Sequence, residues 1–137
     1  MKVYIAASYS KRNQIQDELS AVKETLTKQS LTPFVFIDNY NFNSSQSKEM
    51  METAFAEIDK SSLLIAEVSD KAIGIGVEIG YAKAKNKPVI YLRNANAEHS
   101  TTVAGTSDHI LIYNNANDLE IKLNNLLEKI IVAHSGK

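Results

Sequence analysis

Five short apolar runs, each but the fourth followed by a stretch of helical periodicity, constrain this chain more than any other feature. They are "VYIAA" (3–7), "TPFVFI" (32–37), "SLLIAEV" (62–68), "PVIYL" (88–92) and "HILIY" (109–113). Strands this continuous in apolarity are buried on both faces; a half-exposed strand alternates apolar with polar. Between them, Ser10 reads as a helix cap, and Ile15, Leu19, Val22 and Leu26 recur at helical spacing. Met50, Met51, Ala54, Phe55 and Ile58 mark a second helix, Val77, Tyr81 and Ala84 a third, and Leu119, Leu123, Leu126 and Ile130 the last.

Strands alternating with helices predict a parallel sheet with helices on both faces. The expectation is an α/β protein: a flavodoxin-like, doubly wound, five-stranded parallel sheet in order 2-1-3-4-5. The 137 residues suffice for one domain, 1–137, with no repeat or linker. The tail "HSGK" (134–137) is expected to fray.

Two properties of the composition narrow the function. A net charge of -1 gives no general attraction to nucleic acid or anionic membrane, and Lys11 and Arg12 make only a local basic spot. The absence of cysteine excludes disulfides, thiol catalysis and zinc-thiolate sites. No apolar stretch is long enough to span a bilayer, and the first run does not read as a signal peptide. A soluble cytoplasmic protein, with neither nucleic-acid nor membrane partner, is expected.

One connection breaks the alternation. No helical pattern is evident in "RNANAEHSTTVAGTSD" (93–108), and structureless loops longer than about 12–15 residues are usually functional or disordered. In a doubly wound sheet, ligands bind outside the carboxyl ends of the strands. There this loop would meet "ASYSKRN", "DNYNFN" and "SDKAIGIGVE", which hold most of the chain's unusual chemistry. A small-molecule site is expected at that convergence.

Within it lies "GIGVEIG" (74–80). A dinucleotide fingerprint starting at Gly74 requires glycine at position 79, which is Ile79, and the P-loop pattern is absent. The glycines instead read as a turn feeding a helix, with Gly74 and Gly76 open to close approach by a ligand. Glu78 would fall in the first helical turn, kept ionised by free N–H groups and the dipole, as suits an anionic nucleophile. The competing reading is a glutamate that only stabilises its helix. His99, Ser100 and Asp108 could be written as a catalytic triad, but no G-x-S-x-G elbow supports one. His99, His109 and His134 lack metal-ligand spacing, so no metal is expected. Glu67, late in the third strand, reads as structural.

The stretch 57–92, above all "AEVS" (66–69) followed by "GIGVEIGYA" (74–82), resembles the nucleoside 2-deoxyribosyltransferase family, which includes the 2'-deoxynucleoside 5'-phosphate N-hydrolases. "VYIAAS" (3–8) and "HSTTVAGTSD" (99–108) fit weaker family features. The resemblance implies cleavage of the N-glycosidic bond of a (deoxy)nucleoside or its monophosphate, without cofactor. Glu78 would attack the anomeric carbon and form a glycosyl-enzyme intermediate, as in a retaining glycosidase. Tyr4 would position nucleophile and sugar, and Ser8 would contact the phosphate. Ser100 would reach a neighbouring subunit's phosphate site, making a homodimer.

The departures from the family pattern are specific. Its general-acid Asp aligns with Ala54, which also reads as core. Asp38 is the first candidate to replace it; Glu57, Glu52 and Asp108 are others. Ala72 stands where the hydrolases carry a phosphate-binding Ser, and Ser10 where they carry Arg, so Lys11, Arg12 or Lys71 would have to meet the anion. The extended C-terminal tail of some transferases is missing, which favours a hydrolase over a base-exchanging transferase. The rival is a nucleotide-binding module that has lost catalysis.

Overall fold

The computed structural model describes residues 1–135, with the side chains of His134 and Ser135 left aside. Five parallel strands, β1 (Lys2–Ala6), β2 (Thr32–Val35), β3 (Leu63–Glu67), β4 (Val89–Asn94) and β5 (His109–Tyr113), form one sheet in order β2-β1-β3-β4-β5. The predicted fold and strand order are both present. Six helices join them: α1 (Gln16–Lys28), α2 (Phe36–Asn39), α3 (Ser47–Asp59), α4 (Ile73–Ala84), α5 (Thr101–Thr106) and α6 (Ala116–Ser135). None is long and apolar enough to cross a membrane, among the described residues.

The two-residue period of the strands divides the core. Val3, Ile5, Ile65, Ile90 and Leu92 pack on Leu19, Val22 and Leu26 of α1 and on Leu119, Leu123 and Leu127 of α6. Tyr4, Ala6, Leu64, Ala66 and Tyr91 point the other way, onto Ala54 and Ile58 of α3 and Ile75, Ile79 and Ala82 of α4. Strand register sets Tyr4 between Phe34 and Leu64 in the middle of this second face.

Several local expectations are corrected. The second strand stops at Val35, because Phe36 turns onto the face of Tyr4 and Asn39 Nδ2 donates to the Val35 carbonyl at 2.6 Å, closing a helical turn. Ser10 caps nothing: a 3-10 turn, Arg12–Ile15, intervenes before α1. The connection after β4 does contain a helix, α5, whose first turn is capped by the Ser100 hydroxyl accepting from the Val103 N–H. It escapes a reading by periodicity because it has only six residues, "TTVAGT", rich in weak helix formers. In α4 the buried residues are Ile75, Ile79 and Ala82, while Val77 remains 45% exposed. In α6, Leu127 is fully buried and Leu126 packs at its margin. Helix α6 persists to Ser135; the last two residues of the tail expected to fray lie outside the described residues.

Candidate active site

The site begins with Tyr4. It is 0% exposed, and its hydroxyl donates to the Glu78 carboxylate across the space between β1 and α4. Burial, then the neighbouring Glu78 charge, pushes the Tyr4 phenol far above its ordinary range, so it remains a donor. Glu78 is half-buried, and desolvation raises its carboxyl to about 7; the bond from Tyr4 works in the opposite direction and loses.

This overturns the expectation of a first-turn glutamate held ionised. Helix α4 starts at Ile73, because Ala72 is extended and Gly74 and Gly76 are helical. Glu78 is thus in the second turn, beyond the free N–H groups, where the dipole fades. Neither glycine has a positive φ, and a Cβ at either would meet nothing within 4 Å. Their absent side chains leave bare helix surface.

An aromatic wall that the sequence reading missed stands beside Tyr4. Phe34 and Phe36 each lie 6.0 Å from the Tyr4 ring, Phe36 lies 5.1 Å from Tyr40, and Phe42 stacks on Tyr40 at 5.7 Å. The signal was present as aromatics at 34, 36, 40 and 42. Ala54 lies in the same cluster, 1% exposed, and is core as expected.

The acids proposed to replace position 54 are either engaged elsewhere or exposed. Asp38 receives two bonds from the Arg12 guanidinium, at 2.7 and 2.8 Å, which hold its carboxyl below the usual range. It is therefore ionised and lacks the proton that a general acid donates, so the structure does not support Asp38 in that role. Glu57 is buried against Lys2 at 2.7 Å, with Lys60 at 3.3 Å, and is held low in the same way. Glu52 is exposed. Asp108 precedes β5, at the amino ends of the strands, and accepts from the Val89 N–H; it cannot join His99 and Ser100 in a triad. Burial and Tyr4 alone account for the state of Glu78, with no second carboxylate contributing.

The carboxyl ends of β1 and β3 form the other half of the site. The Ser8 hydroxyl donates to Asp70 at 2.6 Å and lies 3.2 Å from the Ser10 hydroxyl. Asp70 borders two small cavities. One, of about 150 Å³, is also lined by Ser8, Lys11, Gln14, Glu67 and Ser69. The other, of about 190 Å³, is lined by Lys71, Ala72, Ile75, Ser100 and Val103. Gln16 takes the remaining Arg12 nitrogen at 2.7 Å, and Lys71 pairs with Glu98 at 3.0 Å. No cluster of metal-ligating side chains is present among the described residues.

Glu67 belongs to the frame of this site. It is buried, and accepts from the Tyr113 hydroxyl at 2.5 Å and the Ser69 N–H at 2.7 Å; Ser69 in turn accepts from the Asn94 N–H. Tyr113→Phe leaves this carboxylate short of a partner. The expected loss is about 1–3 kcal/mol of unfolding free energy, measured by denaturant titration; an unchanged midpoint would show that the bond carries no net weight.

A family model described as nucleoside 2-deoxyribosyltransferase matches residues 3–130. A protein of Syntrophotalea carbinolica, assigned by name to the 2'-deoxynucleoside 5'-phosphate N-hydrolases, is 33% identical over 105 residues, which is 72% of this chain and 72% of that protein. Among solved structures, the Clostridium botulinum CMP N-glycosidase BcmB superposes with a TM-score of 0.69 at 21% identity, covering 92% of this chain and 99% of that one. A 2-deoxyribosyltransferase from Bacillus psychrosaccharolyticus gives a TM-score of 0.68 at 16% identity, covering 88% and 90%. The two structures share the fold; the family match and the sequence relative speak to kinship.

Proposed function

Because the chain belongs to the nucleoside 2-deoxyribosyltransferase family, we propose that it cleaves the N-glycosidic bond of a nucleoside or nucleoside 5'-monophosphate, with Glu78 as nucleophile and water as acceptor. The observation that carries this reading is Glu78 itself: a half-buried carboxyl at the ligand-binding end of the sheet, oriented by a fully buried Tyr4. A Glu78 oxygen bonds to the anomeric carbon while the carbon–nitrogen bond breaks. The bond pair leaves with the base, which takes a proton from solvent. Water then attacks the same carbon, loses a proton to solvent, and frees Glu78 as a carboxylate. Transfer of the sugar to an acceptor base is the same second step with another nucleophile.

Tyr4 keeps one Glu78 oxygen in place, and the bare surface at Gly74, one turn before Glu78 on the same face of α4, lets the sugar approach. Ser8 and Ser100 contact the far end of the ligand, with Lys11 and Lys71, which line the two adjoining cavities, as the nearest cations. No cofactor takes part. The test is chromatography of nucleosides, deoxynucleosides and their monophosphates incubated with the protein, with and without an acceptor base. Free base and sugar in the absence of acceptor support hydrolysis; release only with acceptor supports exchange. A ligand that raises the melting temperature with no turnover of any substrate supports a binding module instead, the reading that the buried Ala54 favours.

The same reading includes a homodimer formed through the outer face of α4. Ile73 is 89% exposed and Val77 45%, and Gly76 and Gly80, which share that face of α4, carry no side chain. Light scattering should give about twice the chain mass of 15.2 kDa, and Ile73→Glu should return it to the single-chain value. A wild-type monomer would remove the homodimer from the proposal.

A further inference from the structure

We infer that the free edge of β5 is a docking strand: an extended segment of a partner protein, with apolar and acidic residues in alternation, adds to the sheet there. The inference is independent of the N-glycosidase reading.

The edge follows from the topology. Strand order β2-β1-β3-β4-β5 leaves β5 paired on one side only. The Asp108 N–H donates to the Val89 carbonyl at 2.9 Å, so alternate residues from Asp108 turn their backbone groups to β4. The N–H and C=O groups of His109 and Leu111 therefore point to the open side. Such an edge is a template for another strand, and chains commonly guard it with charge or cover. The guard here is partial. Lys122 of α6 donates to the Ile112 carbonyl at 2.8 Å, near the end of β5, and among the described residues no side chain bonds to the backbone of His109 or Leu111.

The two sides of this edge differ in chemistry. On one side the connection from β4 supplies only α5, whose six residues span about 9 Å and pack on α4 and β4. Ile110, in register with Tyr91, and Ile112 face that side beyond its reach and are 51% and 38% exposed. On the other side a groove of about 360 Å³ separates β5 from α6. Leu111 and Leu126 line it, its charged side chains are Lys122 and Lys129, and no carboxylate borders it.

A strand laid against His109 and Leu111 sends its side chains alternately to these two sides. Apolar ones on the first side cover Ile110 and Ile112. Acidic ones on the second side meet Lys129 and Lys122, which Asp118 balances only in part at 3.1 Å. Charge also decides against a second copy of this chain. Two β5 edges paired about a two-fold axis bring the lysines of one chain towards those of the other, and like charges across an interface are costly.

The test is fluorescence polarisation of the labelled peptide EVEVEVE, with KVKVKVK and the block sequence EEEEVVV as controls. EVEVEVE should bind at least tenfold more tightly than either control. Lys129→Glu and Ile110→Ser should each weaken it at least fivefold and leave the melting temperature as in wild type, since both side chains are exposed. Hydrogen exchange at the Leu111 amide should slow when the peptide is bound. No binding up to about 1 mM, equal binding of either control, or a Leu111 amide unmoved by bound peptide overturns the inference. A Leu111 amide already protected in the free protein, together with a smaller mass by light scattering for Ile110→Asp than for wild type, puts a second copy on the edge and likewise overturns it.

Discussion

Glu78→Gln should release free base at least a thousandfold more slowly than wild type, and at pH 8 it should be the more stable of the two proteins. The first effect follows from the proposed mechanism, in which a Glu78 oxygen is the nucleophile; losses of a covalent nucleophile run to about 10³-fold and beyond. The second follows from linkage. Below about pH 4.5 both folded and unfolded chains hold the Glu78 proton. Between about 4.5 and 7 the unfolded chain releases it while the folded one, with its carboxyl raised to about 7, keeps it. Stability contributed by the protonated acid is thus lost as pH rises through that window, a cost on the order of 2–3 kcal/mol that is complete above pH 7. Glutamine is neutral at every pH and still offers Tyr4 an acceptor oxygen. Activity assays and thermal melts from pH 5 to 8.5 check both halves. Undiminished base release would remove Glu78 from the mechanism, and a Gln variant that melts below wild type at pH 8 would contradict the burial argument.

Tyr4→Phe should move the pH profile rather than abolish activity. Nucleophilic attack needs the Glu78 carboxylate, so kcat/KM should rise with pH and level off above about 7. The Tyr4 bond favours the charged form, and its removal leaves desolvation unopposed. The rising limb should shift upward by about one pH unit, with roughly tenfold less activity at pH 6.5 and partial recovery at pH 8.5. A flat loss at every pH would instead assign Tyr4 to the reaction itself, and an unshifted limb would show that its bond does not tune Glu78.

The large features of the molecule were readable because they are periodic. Continuous apolar strands separated by helical patterns admit few folds, and the sheet order follows from those rules. What escaped is where local hydrogen bonding decides. Ser100 caps a six-residue helix that carries no apolar stripe. Helix α4 begins at Ile73 through two glycines that looked like a turn, which displaced Glu78 by one turn and reversed the expected direction of its titration. The Ser8–Asp70 and Arg12–Asp38 contacts join residues 62 and 26 positions apart, and no spacing rule reaches across such intervals. The aromatic wall was visible as composition but had no meaning until α2 folded Phe36 back over Tyr4.

The fork between Arg12 and Asp38 has a mechanical consequence. It ties the segment after β1 to the short helix after β2, and that helix carries Phe36, the ring leaning on Tyr4. The fork therefore couples the two segments beside Tyr4. Both partners retain contact with solvent, so dissolved salt weakens their tie, while the Glu78–Tyr4 contact beneath lies sheltered from it. Ionic strength thus acts on the tie between these two segments while leaving the Glu78–Tyr4 contact in place.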